Sequence, residues 1–136
     1  MSATPRYARE QIPDAANIYR AIHEMWIENG AIKSVKAFKY DEDGVSAEWE
    51  KYTTPQRTRQ FHSNNPPEKY GVCCWNAGSI RETGLMVDHD PLPNEKLKSI
   101  DNRAHCLLHS TDPRPEDIKE FQVRLKRATK IILYPG

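Results

Sequence analysis

The run YGVCCWNAG, residues 70–78, is apolar at nearly every position. A strand with one buried face alternates apolar and polar residues, so a continuous run of this length reads as a strand covered on both faces. Such a strand needs a sheet around it and a layer stacked on each side, which restricts the chain to a layered fold.

Other segments supply those layers. DPRPEDIKEFQVRLKRATK, 112–130, carries the clearest helix. Pro115 suits the first helical position, and Glu116 and Asp117 suit the positive end of the macrodipole. Ile118, Phe121, Leu125 and Ala128 form its apolar face. Lys119, Arg124, Lys126, Arg127 and Lys130 crowd the same segment, mostly in its later half, where a helix favours cations. That placement accounts for them without a nucleic-acid site. IPDAANIYRAIHEMWIENG, 12–30, also predicts a helix. Ile18, Ile22, Met25 and Trp26 recur at the spacing of one helix face, with Pro13 or Asp14 at the start and Asn29-Gly30 as the stop.

Between these lie shorter elements. Asp41-Glu42-Asp43-Gly44 reads as the turn of a hairpin whose second arm alternates Val45, Ala47 and Trp49 with Ser46, Glu48 and Glu50. Thr54-Pro55 opens a short helix to about His62. Ser79 and Glu82 have capping-box spacing, and Gly84 closes a turn or two of helix. LMVDHDP, AHCLLHS and KIILYPG read as strands. The expected fold is therefore α+β, one domain over 1–136. Its mixed sheet has five or six strands, packed with an N-terminal and a C-terminal helix.

Composition bears mainly on partners. The chain of 136 residues has 20 basic and 19 acidic side chains and a net charge of +1, which argues against nucleic-acid binding through net charge alone. No apolar run approaches the roughly 20 residues of a membrane span, and the first residues lack the apolar stretch of a secretory signal. A cytoplasmic protein with no membrane partner is expected. Cys73, Cys74 and Cys106 are odd in number, two are adjacent, and no CxxC is present, so free buried thiols are expected rather than disulfides or zinc. No cofactor is implied, and oligomeric state is not written in the pattern.

Candidate chemistry concentrates in 87–110, VDHDPLPNEKLKSIDNRAHCLLHS, which holds three of the five histidines. If the strand reaches Asp90, Asp88 and Asp90 share a face and could hold a hard cation given a third ligand, while His89 points away. The aspartate before Pro91 favours the other reading, a turn over Asp88–Asp90, and no metal site is expected. On a strand, His105 and His109 share a face but stand about 13 Å apart, too far for one metal.

If the two strands are neighbours, His89 can approach His105, with Asn102 and Arg103 at the same rim. Imidazoles can move protons and an arginine can clamp an anion. The expected enzyme acts on RNA or a nucleotide. His105 is its base or acid, His89 its second proton carrier, Arg103 its anion clamp, and Asp88 or Asp90 its orienting carboxylate. Asn102, Arg57, Arg59 and His62 are expected to contact substrate. His109-Ser110-Thr111 matches the tripeptide that two-histidine phosphoesterases carry twice, but His62-Ser63-Asn64 has the wrong third residue for a second copy, so that family is not assigned. The alternative is a non-catalytic accessory domain that binds a partner protein. Its contacts would come from the 91–102 loop, a segment long enough to be functional or mobile, and from the edge TPQRTRQFHSNNPP, 54–67.

Overall fold

The computed structural model describes residues 7–60, 66–92 and 101–136. Eight strands and three helices occur among them. They are β1 (Asn17–His23), β2 (Ile27–Glu28), β3 (Ala31–Ile32), β4 (Val45–Trp49), α1 (Pro55–Gln60), β5 (Tyr70–Asn76), α2 (Ala77–Glu82), β6 (Met86–His89), β7 (His105–His109), α3 (Pro115–Ala128) and β8 (Lys130–Leu133). Six strands form one sheet in the order β6-β7-β4-β1-β5-β8, and β2 and β3 pair separately. The α+β class, six strands and the C-terminal helix agree with the sequence.

The sheet is not mixed: every pairing in it is antiparallel. The connections through α2 and α3 do join strands of the same direction, β5 to β6 and β7 to β8. Each, however, lands far across the sheet with antiparallel strands in between, so no parallel pair forms.

The expected N-terminal helix is a strand. Ile18 and Ile22 are four apart, a spacing that satisfies a helix face but also one side of a strand. Tyr19 and Ala21 are buried as well, on the opposite side, and β1 lies between β4 and β5. Pairing along both of its edges favours these β-branched and aromatic residues in a strand. Met25, assigned to the helix face, is 55% exposed. Asn29-Gly30 is not a helix stop. It is the two-residue turn between β2 and β3, with φ of 53° and 78°, the backbone that Asn-Gly favours in hairpins.

The turn at 41–44 forms as read, closed by a bridge between Asp41 and Gly44. Gly44 has φ 132°, and a Cβ there would come within 2.6 Å of the Leu108 carbonyl oxygen. The arm before it is a 3-10 turn, Val35–Phe38, rather than a strand. It drops Phe38 fully into the core, a burial worth on the order of 2–3 kcal/mol.

The main core occupies one face of the sheet. Trp75, Phe38, Ile18, Ile22, Ile80, Leu108 and Leu125 are its largest fully buried members. Trp75 Nε1 donates to the Leu125 carbonyl at 2.9 Å, tying α3 to β5. A smaller cluster of Tyr19, Val72 and Cys74, with Leu133 against it, lies on the reverse face. β5 is therefore covered on both sides, as its continuous apolar run requires.

Helix ends follow their local chemistry. Thr54 Oγ1 accepts from Arg57 N at 3.2 Å at the start of α1. The cap of α2 is Asn76, whose side chain accepts from Gly78 N, and not the Ser79–Glu82 pair. At α3 the Asp117 carboxylate accepts from Arg114 N and from its guanidinium, which holds Asp117 below the usual carboxylate range. No helix among the described residues is long and apolar enough to cross a membrane.

Candidate functional site

β6 and β7 are neighbours, as the convergence of His89 and His105 required, but their register separates the two rings. Asp88 and His89 lie on the strand, not in a turn, and Asp90 N continues the ladder to the His105 carbonyl at 2.8 Å. His89 stands opposite Cys106, so the two share the core face with Val87 and Leu108. His105 is displaced by one residue and points to the reverse face. The expected meeting of His89, His105 and Arg103 does not form.

His89 is 2% exposed, and both ring nitrogens are committed to backbone. Nδ1 accepts from Glu10 N at 3.0 Å and Nε2 faces the Arg103 carbonyl at 2.7 Å, which fixes Nε2 as the protonated nitrogen. The ring stacks on Tyr52 at 5.8 Å and meets Trp49 edge-on at 5.2 Å. No lone pair is left for a substrate. His89 splints the segment around Glu10 to the turn before β7, and is not a second proton carrier.

Arg103 goes with it. Its guanidinium lies 4.1 Å from the Tyr52 ring and 4.8 Å from the Tyr7 ring, with Glu10 Oε2 at 3.8 Å. Glu10 also receives Lys51 at 2.6 Å and the Tyr52 hydroxyl. These hydrogen bonds, Lys51 first, hold its carboxyl below the usual range, and Glu10 in turn pushes Lys51 up. Arg103 is thus held between two rings and an acid rather than beside His105.

The reverse face is different. Asp90 stands opposite His105, and His105 Nδ1 lies 2.9 Å from the Asp90 carbonyl and 3.2 Å from its carboxylate. On the other side of the ring, Nε2 lies 3.2 Å from Ser46 Oγ. The second carboxylate oxygen of Asp90 takes Arg9 at 2.8 Å. Glu48, directly opposite His105 on β4, is 6% exposed and receives Asn102 Nδ2 at 3.5 Å. Asn102 Oδ1 is buried with no hydrogen-bond partner. Asp88 and His109 make a further pair at 2.5 Å on this face.

Three carboxylates, Asp88, Asp90 and Glu48, therefore share one face with His105 and His109. Their charge reaches the core: burial first, then Glu48, Asp90 and Asp88, raise the Cys106 thiol well above its usual value. Burial likewise pushes Cys73 up to about 12 and raises Cys74. All three cysteines are free and buried. None has the lowered pKa of a nucleophile. Among the described residues no three acidic, histidine or cysteine side chains are arranged to hold a metal ion.

The remaining predicted contacts lie elsewhere. Arg57 is exposed on α1, and Arg59 donates to the Tyr70 carbonyl at 3.1 Å, on the β5 side of the sheet. His62 lies outside the described residues. An open depression of about 450 Å³ runs past Glu10, Asp14, Arg81 and Asp88, with Arg81 held by Asp14 at 2.6 Å. Neither His105 nor Ser46 lines it.

Sequence reasoning missed Ser46, Glu48, Tyr7, Arg9, Glu10 and Tyr52. Ser46 and Glu48 were visible as the polar positions of an alternating strand, but alternation alone marks such positions as solvent-facing. Comparison with known proteins adds no name: no family model matches the chain, and no match was found among curated proteins or solved structures.

Proposed function

We propose that this chain is a small acid–base enzyme in which His105 takes and returns a proton while Asp90 orients it. The observation that supports this reading is the line Asp90–His105–Ser46, with contacts of 3.2 Å on both sides of the ring. An imidazole with the Asp90 carbonyl and carboxylate at one nitrogen and a hydroxyl at the other has the arrangement a general base needs. Phosphate-bearing substrates such as RNA or nucleotides are disfavoured by charge. Asp88, Asp90 and Glu48 share the face of His105, and the arginine expected as their clamp is engaged with Tyr7, Tyr52 and Glu10. A neutral ester, a neutral amide or a cationic substrate meets no such repulsion.

The test compares wild type with His105→Gln on a panel of neutral aryl esters and on total RNA, after thermal melting has shown both proteins folded. Loss of a wild-type activity in the variant, by about 100-fold or more, supports the reading. Equal rates in both proteins, or no activity on either substrate class, count against it.

A second reading, a partner-binding domain, is favoured by a separate observation. Ile132 and Tyr134 are 39% and 54% exposed at the β8 edge, and Gly136 N bonds Glu68 O beside exposed Pro66 and Pro67. Leu92 is half-buried, and Leu97 lies outside the described residues. Tyr134→Ser should then weaken capture of a partner without changing the melting temperature.

A further inference from the structure

Resting on the reading of His105 as base, we propose that Ser46 is the nucleophile of this site and that its substrates are neutral or cationic acyl compounds, turned over through an acyl-serine.

The tautomer of His105 sets the direction of proton flow. His105 Nδ1 faces two acceptors, the carbonyl oxygen and a carboxylate oxygen of Asp90. A lone pair there would be repelled by both, so Nδ1 carries the proton. Nε2 is then a proton acceptor, and Ser46 must donate its hydroxyl to it. The opposite tautomer would place two lone pairs against one another at Nδ1. Hydroxyl, imidazole and carboxylate thus form a chain with one direction of proton flow, from Ser46 toward His105.

The surroundings support that flow. His105 is 7% exposed, so its ring is shielded from water, whereas Ser46 is half-buried. Glu48 stands directly across from His105 and adds a third carboxylate to this face. Ser46 is also fixed in place: its strand is interior to the sheet, and Arg20 donates to its carbonyl at 2.6 Å. The carboxylates of this face repel an anionic substrate, which selects against phosphates and free acids.

The chemistry balances without a co-reactant other than water. Ser46 Oγ forms a bond to the acyl carbon of an ester as its proton passes to His105 Nε2. The ester C–O bond then breaks, and the alcohol leaves with that proton, so Ser46 is acylated. Water attacks the acyl carbon next and gives its proton to Nε2. The bond from the acyl carbon to Ser46 Oγ breaks, the acid is released, and Oγ recovers the proton. Asp90 touches no substrate in this sequence and acts as a positioning residue.

The experiment uses the full chain and a neutral fluorophosphonate, which phosphonylates activated serines. The expected result is one adduct, mapped by peptide mass spectrometry to Ser46. It should be absent in Ser46→Ala and formed about 100-fold more slowly in His105→Gln. Asp90→Asn should slow the reaction and move its pH profile, an effect that a purely structural role would not produce. No adduct at Ser46 in folded protein, or an adduct whose rate ignores His105, overturns the proposal.

Ester hydrolysis separates the two levels of the argument. Hydrolysis kept in Ser46→Ala but lost in His105→Gln removes the nucleophile and leaves the base. Hydrolysis kept in both removes both. Faster turnover of a carboxylate-bearing ester than of its neutral analogue overturns the assignment of substrate charge.

Discussion

His89 and His105 sit on adjacent paired strands, and both are almost fully buried. They nevertheless do opposite things. His89 faces the core, and its two nitrogens close two backbone gaps. His105 faces the reverse side: its Nδ1 meets the Asp90 carbonyl and, beside it, the Asp90 carboxylate, and its Nε2 meets a hydroxyl. Burial alone does not separate a structural histidine from a chemical one. The partners do: both nitrogens of His89 meet backbone alone, whereas those of His105 also meet a side-chain carboxylate and a side-chain hydroxyl.

The sharpest break of this comparison is His89→Ala. It opens a cavity beside Trp49 and Tyr52 and leaves Glu10 N and the Arg103 carbonyl unpaired. A loss of about 3 kcal/mol is expected in urea unfolding. His105→Gln keeps a polar group of similar reach and should lose about 1 kcal/mol or less while losing activity. A larger stability loss for His105→Gln than for His89→Ala would invert the assignment.

The next effect concerns the face that His89 shares with Cys106. Cys106 and Cys73 are fully buried with raised thiol pKa values, so iodoacetamide at pH 8 should label neither until the chain unfolds. Labelling of Cys106 at the rate of a free thiol would show that this face is open.

A smaller effect follows from Glu10, which joins the His89 side to Lys51 and Tyr52. Its carboxyl is held below its ordinary value near 4.5. The stability this supplies is present above the unfolded-state value and is lost as pH falls through the lower folded one. Glu10→Gln should flatten the acid limb of the stability–pH profile below about pH 4.5 and leave pH 7 to 8 unchanged in slope. An unchanged acid limb would remove Glu10 from the account.

The smallest effect is expected at Arg9, whose side chain is 71% exposed while it pairs with Asp90. Arg9→Ala should cost about 0.5 kcal/mol or less, and less still in high salt. Differential scanning calorimetry at two ionic strengths reads this directly.

The sequence made some of this legible and hid the rest for physical reasons. The doubly buried β5, the α3 helix with Pro115 and Asp117, and the β7 strand were all local patterns, and local pattern determined them. β1 was hidden because Ile18 and Ile22 satisfy helix and strand periods alike, and its pairing with β4 and β5 decided between them. Asn29-Gly30 carries a strong hairpin signal, masked by the helical reading placed before it. At the site, His105 was identifiable by type and strand position, and Asp90 by type alone, since it reads as part of a turn. Ser46 was not, because its contact with His105 spans 59 residues. The same holds for Glu10, whose bond to His89 spans 79. Long-range partners of polar groups leave no periodic trace.

The bond from Trp75 to Leu125 also sets an order of events during biosynthesis. The indole N–H belongs to the fifth strand, and its acceptor belongs to the last helix, so a nascent chain carries an unmet donor in its core until α3 has emerged. β8, the neighbour of β5, arrives later still. A sheet in which β5 pairs with a strand made about 55 residues later cannot be assembled strand by strand as the chain emerges. Its cooperative transition waits for α3 and β8, and the burial of Trp75 marks that step.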